Sequence, residues 1–326
     1  KLKIIVTGGA GFIGSHLVDS LLSLKHDVVS IDNLSVGRSE NFSHHIENPH
    51  FSFLNADIAN FNQIESVFEN TDWVFHLAAL ADIVPSIENP KDYYMSNVNG
   101  TFNVLEASRI KNVKKLIYTA SSSCYGLPDE FPTKETAEIR PQYPYALTKN
   151  IGEQLVMHWC QLYSIPAISL RFFNVYGPNE YHKGRMASVV FHAVNQINLT
   201  GNMKLFKSHN SMYKNGEQLR DFVYVKDVVD VLVKMMDKQY QNGIYNLGSG
   251  KARTFNDLIY ITFSAMKYKS SIIYIDTPVD IRDKYQYFTE ANMSKLIDTG
   301  CQKSFTALEE GVTDYVKNYL LEGKYL

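Results

Sequence analysis

The sequence predicts an α/β fold: a doubly wound parallel sheet joined to a smaller α+β substrate-binding lobe. Three observations predict it. In the first half, short apolar runs alternate with helical patterns, as in a parallel sheet covered on both faces. The first run leads into Thr7-Gly8-Gly9-Ala10-Gly11-Phe12-Ile13-Gly14, a glycine-rich turn before a helix. After Pro178 the alternation stops, and a loop-rich stretch follows.

Element by element, Lys3–Val6 reads as the first strand. Residues 12–25 place Ile13, Leu17, Val18, Leu21 and Leu22 on one helical face. Val28–Ile31 is the next strand and ends at Asp32. Phe51–Leu54, Trp73–Leu77, Leu116–Thr119 and Ala167–Phe172 follow as strands, with helices expected near 61–69, 91–110 and 145–163. Residues 179–221 read as mixed and loop-rich. Phe222–Val225, a helix over 226–237 and Tyr245–Leu247 read as a return to the first lobe. The expected division is a Rossmann lobe over 1–178 plus 222–250, and a substrate-binding lobe over 179–221 plus 251–326.

Bulk properties exclude several classes. The chain has 326 residues, 45% hydrophobic and 20% charged, with a formal net charge of -2. That is an ordinary soluble composition, and it argues against a nucleic-acid or membrane-surface protein. No apolar run approaches the ~20 residues of a membrane span. Residues 1–16 read as a strand and turn, not a signal peptide. The three cysteines, Cys124, Cys160 and Cys301, lie far apart with no CxxC. Neither a disulfide framework nor a metal site is expected, and a reducing, cytoplasmic location fits.

The turn carries the first function. Gly8, Gly11 and Gly14 permit a tight bend and close backbone approach to a pyrophosphate. The helix start at Phe12-Ile13 adds unsatisfied N–H groups and a positive dipole end. Asp32 ends the second strand, where its carboxylate can accept hydrogen bonds from adenosine ribose hydroxyls. The same charge repels a 2′-phosphate, which favours NAD over NADP; Asn33 and Arg38 stand close enough to soften that preference. Asp57-Ile58 can hold the adenine amino group, and the small residues of Leu77-Ala78-Ala79 let the cofactor pass. Phe172, at the end of its strand, joins this set.

The second function lies in Tyr145-Ala146-Leu147-Thr148-Lys149. Tyr145 and Lys149 sit at i, i+4 on one helix face. An ammonium near a phenol is expected to lower the phenol pKa, so that Tyr145 can take a proton from a sugar hydroxyl while hydride leaves the same carbon. Lys149 can also reach ribose hydroxyls of the nicotinamide half. Ser121, Ser122 and Ser123 follow a strand whose C-terminal end should face this site, and Ser121 is expected to hydrogen-bond the reacting oxygen.

These motifs resemble the extended short-chain dehydrogenase/reductases, specifically the nucleotide-sugar epimerases. The resemblance runs from Lys3 to about Tyr319, through TGGAGFIG at 7–14, Asp32-Asn33, HLAA at 76–79, SSSCYG at 121–126, YALTK at 145–149, RFFNVYGP at 171–178, RDFVYV at 220–225 and NLGSG at 246–250. It implies a nucleotide-diphosphate-sugar substrate, catalytic roles for Ser121, Tyr145 and Lys149, and a homodimer. It implies substrate contacts from Asn174, Arg220 and Arg282, with Ser122 and Ser123 beside them. The family's dehydratases carry Asp-Glu where this chain has Ser122-Ser123, so elimination chemistry is disfavoured.

The two halves resemble different epimerases. Residues 80–150, including Val84-Pro85-Ser86-Ile87 and Tyr143-Pro144-Tyr145, look like UDP-hexose 4-epimerases. Residues 179–235 look like ADP-heptose 6-epimerases, in His182-Lys183-Gly184, Met186-Ala187-Ser188-Val189 and Phe191-His192; so does Tyr285-Gln286-x-Phe288-Thr289. In the second class the lysine matching Lys183 is a second acid/base; Lys183 can also be read as a phosphate-binding or exposed lysine. The expectation is an NAD-dependent epimerase, acting first on C4 of a UDP-hexose or UDP-N-acetylhexosamine and, as the close alternative, on C6 of an ADP- or GDP-heptose. A nucleotide-sugar reductase and a non-catalytic NAD sensor are the remaining readings.

Overall fold

The computed structural model describes residues 1–237, 240–301 and 304–324. Its strands in chain order are β1 (Lys3–Thr7), β2 (Asp27–Asp32), β3 (Phe51–Asn55), β4 (Trp73–His76), β5 (Lys115–Ser121), β6 (Ala167–Phe172), β7 (Asn174–Tyr176), β8 (Met203–Phe206), β9 (Leu219–Tyr224), β10 (Gly243–Leu247), β11 (Ala252–Thr254) and β12 (Ile272–Ile275). The principal helices are α1 (Phe12–Ser23), α2 (Gly100–Ile110), α3 (Pro144–Tyr163), α4 (Val189–Thr200), α5 (Val225–Asp237), α6 (Phe255–Met266) and α7 (Leu308–Tyr315).

The main sheet is wholly parallel, in the order β10-β6-β5-β4-β1-β2-β3. Along β1, Ile4 and Val6 enter one apolar cluster and Ile5 the other, as the period of a strand requires. The Ile5 cluster lies under α2 and α3 with Val104, Leu105 and Val156. The other runs from Leu17 and Leu21 of α1 through Val228 and Leu232 of α5 to Val190, Phe263 and Val312, continuous with the C-terminal third. Strand order reverses between β1 and β4, so a crevice opens beyond their carboxyl ends at Thr7 and His76.

Three expectations change. Residues 91–110 are helical as expected but not uniformly α: the helix from Pro90–Tyr93 continues without a break through a π-helical stretch at Tyr94–Asn99 into α2. Asn97 lies in that stretch. Its Oδ1 accepts from Leu80 N at 2.8 Å, and its Nδ2 donates to Leu80 O at 2.9 Å and to Thr148 Oγ1 at 3.1 Å. Phe222–Tyr224 does not return to the main sheet; it belongs to β9, the middle of a three-stranded sheet, β11-β9-β7, while β10 does rejoin beside β6. Residues 179–221 are also more regular than expected, holding α4 and β8.

Candidate functional site

The glycine turn is tight for steric reasons. Gly8 has φ +73°, and a Cβ there would stand 2.8 Å from Ala78 N. A Cβ on Gly14 would stand 2.1 Å from Gly8 O. Gly11 N donates to Gly8 O at 3.1 Å and closes the bend. α1 begins with no side-chain cap and no acid in its first turn, so the N–H groups of Phe12, Ile13 and Gly14 have no intrahelical acceptor. That cradle fits a pyrophosphate.

Asp32 is held at the edge of the cradle. Its Oδ2 accepts from Ala10 N at 3.1 Å and its Oδ1 from Leu34 N at 2.9 Å. Burial pushes the carboxyl up, and the two N–H groups pull it back. Asn33 accepts from Ser35 N at 3.0 Å, and Asp57 from Ala59 N at 2.8 Å, so both are shaped by their own turns. These residues fit an adenosine half.

Beneath the crevice a directed chain of hydrogen bonds joins β1 to β4. Thr7 Oγ1 accepts from Leu77 N and Ala78 N, both at 3.1 Å, so its hydroxyl is left to donate to His76 Nδ1 at 2.7 Å. His76 then donates from Nε2 to Thr101 Oγ1 at 2.8 Å, and Thr101 donates to Asn97 O at 2.7 Å. Burial holds His76 neutral, with its pKa pushed down to about 3.

The chemical groups come from the next two elements. β5 delivers Ser121, whose Oγ lies 2.8 Å from Ser123 Oγ and accepts from Ser123 N at 3.1 Å. α3 starts with Pro144 in its first turn, where no N–H acceptor is needed, and so places Tyr145 and Lys149 over the crevice. The Tyr143 and Tyr145 rings lie 6.4 Å apart and nearly parallel. Lys149 Nζ sits 4.5 Å from the Tyr118 ring centroid. Burial pushes its ammonium down to about 7, against the pull of the Glu153 carboxylate one turn on. The expected lowering of the Tyr145 phenol is reversed: burial raises it, and a hydrogen bond with Ser121 draws it back. Below α3, Glu153 is locked to Arg171 at 2.6 Å in a fully buried pair that also binds Ser169 and Tyr125.

Across the cleft a turn at Tyr181–Met186 carries Lys183. Its Nζ lies 4.9 Å from the Phe12 ring centroid. Burial pushes its ammonium down, and Glu180, one turn earlier, opposes that. Glu180 is fully buried, with Oε1 bonded by the hydroxyls of Ser188 and Tyr315 and Oε2 buried without a hydrogen-bond partner.

The cleft has a volume of about 640 Å³. It is lined by Gly8, Gly11, Phe12, Ile13, Gly14, Asp32, Asn33, Asp57, Ile58, Leu77, Ala78, Ala79 and Phe172. Ser121, Ser122, Ser123, Tyr145, Lys149, Asn174, Lys183 and Arg220 line the same cleft. Two expected residues are not brought there. Arg38 bonds Ala10 O through its backbone and does not line the cleft, and Arg282 turns its Nη2 onto Thr277 O at 2.9 Å. Glu180 and the cleft-lining Arg185 were not singled out in the sequence, and His182 and Gln286, quoted there only within motifs, also line the cleft. The only signal for Glu180 was its place three residues before Lys183.

Comparison with known proteins places this cleft in context. Residues 4–248 match the NAD dependent epimerase/dehydratase family. The chain is 37% identical to an ADP-L-glycero-D-manno-heptose-6-epimerase of Fusobacterium nucleatum, over 99% of this chain and 100% of that one. Its fold is similar to a UDP-N-acetylglucosamine 4-epimerase from Methanobrevibacter ruminantium, solved with UDP-N-acetylmuramic acid, at TM-score 0.89 and 29% identity over 99% of both chains. A Thermus thermophilus UDP-glucose 4-epimerase in complex with NAD matches at TM-score 0.83 and 29% identity, over 97% of this chain and 98% of that one. A glycine cradle, a strand-end acid and a Ser–Tyr–Lys group in one cleft agree with those matches. The chain belongs to the NAD dependent epimerase/dehydratase family, among its NAD-dependent nucleotide-sugar epimerases.

Proposed function

We propose that the protein inverts C6 of an ADP-heptose, with Tyr145 and Lys183 as the two acid/base groups. The observation that carries this reading is that Lys183 lines the same cleft as Tyr145, half-buried, with its ammonium pushed down by desolvation. A lowered pKa moves the ammonium toward the neutral form that a proton acceptor needs, which a lysine serving only to bind phosphate does not require. The full-length likeness to a heptose 6-epimerase supports the same order, which reverses the one set by residues 80–150.

Bound NAD supplies a hydride acceptor that later returns the hydride. The chain does the rest. One of Tyr145 and Lys183 takes the hydroxyl proton of the reacting carbon as hydride departs. The keto-sugar then turns its other face, and the second group donates a proton to the carbonyl oxygen as hydride comes back. Ser121 holds the oxygen near Tyr145. Lys149 keeps a cation beside the nicotinamide ribose and favours the phenolate when it is charged. Arg220, with Phe255 and Tyr285 rings each 5.4 Å from its guanidinium, faces the nucleotide diphosphate with Asn174. In this reading segments 179–221 and 251–326 grip the substrate, and the protein works in the cytoplasm. Among the described residues no helix is long and apolar enough to cross a membrane. Exposed Phe102 and Ile110 on α2, with Leu147, Leu162 and Tyr163 on α3, supply an apolar face for a homodimer.

The second reading is C4 inversion of a UDP-hexose or UDP-N-acetylhexosamine, favoured by the backbone likeness to 4-epimerases. Incubating the purified protein separately with ADP-heptose, UDP-glucose and UDP-N-acetylglucosamine, and following each by NMR, divides the two. Conversion of the heptose alone supports the first. A C4 epimer of a UDP-sugar transfers the assignment to the second. No conversion, even with added NAD⁺, removes both for these donors.

A further inference from the structure

We propose that Asp19, His44 and His45 form a binding site for one divalent transition-metal ion of the zinc or cobalt kind, apart from the cleft. None of the three lines the cleft. Asp19 belongs to α1, and the two histidines belong to the single turn Ser43–His45. His44 Nε2 lies 3.0 Å from Asp19 Oδ1, and His45 Nε2 contacts the same oxygen. The three donor atoms all lie within 4.8 Å of one another. The imidazole centroids are 4.0 Å apart, so both rings converge on one point rather than splaying from adjacent residues.

The turn is anchored from behind. His45 packs on Phe51 with centroids 5.7 Å apart, and Phe42, just before the turn, stacks on Phe53 at 4.2 Å. The donors are therefore held in place before any ion arrives, which lowers the ordering cost of binding. Asp19 and His45 are largely shielded, with side chains 24% and 16% exposed, while His44 at 41% leaves an entry path. Two imidazole nitrogens and one carboxylate oxygen suit zinc, cobalt, nickel or copper, and not magnesium or calcium, which want oxygen alone. Three protein ligands leave a position for water.

Cysteine spacing pointed to no metal in this chain; the histidine pair meets its carboxylate only because the fold brings together residues 25 apart. An ion there would clip the 43–45 turn to α1. That turn continues the loop that closes on the glycine cradle, where Arg38 N and Asn41 Nδ2 both donate to Ala10 O, at 3.0 and 2.8 Å. Occupancy would thus stiffen the wall beside Asp32.

The test uses the full chain, freed of any purification tag and of metal by chelation. Co²⁺ is titrated and followed by its visible ligand-field absorption, and Zn²⁺ binding is counted by equilibrium dialysis. We expect one equivalent of each ion, the loss of that equivalent in both His45→Ala and Asp19→Asn, and unchanged epimerase turnover in metal-free buffer. Equal binding by wild type and both variants would place the ion elsewhere and overturn the proposal. So would the absence of saturable binding, which would leave the two imidazoles as simple hydrogen-bond donors to Asp19.

Discussion

The Tyr315 hydroxyl donates to Oε1 of Glu180 at 2.8 Å, so α7 holds the carboxylate that stands one turn before Lys183. Burial pushes Glu180 up, while the Lys183 charge and the hydroxyls of Ser188 and Tyr315 pull it back. In turn Glu180 opposes the lowering of Lys183. Glu180→Gln keeps the shape and removes the charge. The limb of the kcat–pH profile that belongs to Lys183 should then move to lower pH, since nothing offsets its desolvation. A purely structural role for Glu180 would lower stability and leave the position of that limb unchanged.

Lys149 bears a functional burden that costs stability. Its pKa is about 7 in the folded protein against 10.5 as the ordinary value. Between those values the unfolded chain binds more protons, so stability rises with pH across the window and is lowest below about pH 7. Lys149→Met should flatten that rise and lower turnover by about 10²- to 10⁴-fold. Thermal unfolding from pH 7 to 10, run beside an activity assay, measures both. An equal pH slope in the variant would contradict the assignment.

Acid should act through two buried histidines. His76 and His16 have pKa values of about 3 and 4 in the fold, lowered by burial, against 6.5 as the ordinary value. Both must be neutral in the native state, so their contribution is complete above pH 6.5 and is lost as pH falls toward their folded values. The urea midpoint should drop between pH 7 and pH 5. It should drop less in His16→Gln, whose amide can still reach Pro178 O, the present partner at 2.7 Å.

Gly14→Ala tests the cradle. Its new Cβ would stand 2.1 Å from Gly8 O, so the turn must open. We expect a loss of about 1–3 kcal/mol in unfolding free energy and loss of copurifying cofactor. Urea denaturation and the 260/280 nm absorbance ratio check each part.

The parts of the site legible in sequence were those set by local spacing. Gly8, Gly11 and Gly14 shape one turn, Asp32 ends a strand beside it, and Tyr145 and Lys149 share one helix face whatever the rest of the chain does. Arg38 and Arg282 do not line the cleft, because the direction of a long side chain is decided by packing; Arg282, for one, turns its guanidinium onto Thr277 O. Glu180 carried no signal of its partner in the sequence, because Tyr315 lies 135 residues away. The π-helical stretch at Tyr94–Asn99 holds Asn97, whose side chain bonds Leu80 and Thr148, 17 and 51 residues away. The pKa of Tyr145 was expected to follow its neighbour's charge, but desolvation of the phenol itself pushes it up.

The central claim is that Lys183 moves a proton. The most direct measurement is kcat and KM of Lys183→Ala with ADP-heptose, followed by NMR. A fall in kcat of about 10²-fold or more at little-changed KM is the predicted result, because the interaction lost is one made in the transition state. A raised KM with kcat intact would contradict the account and leave Lys183 as a substrate-binding cation.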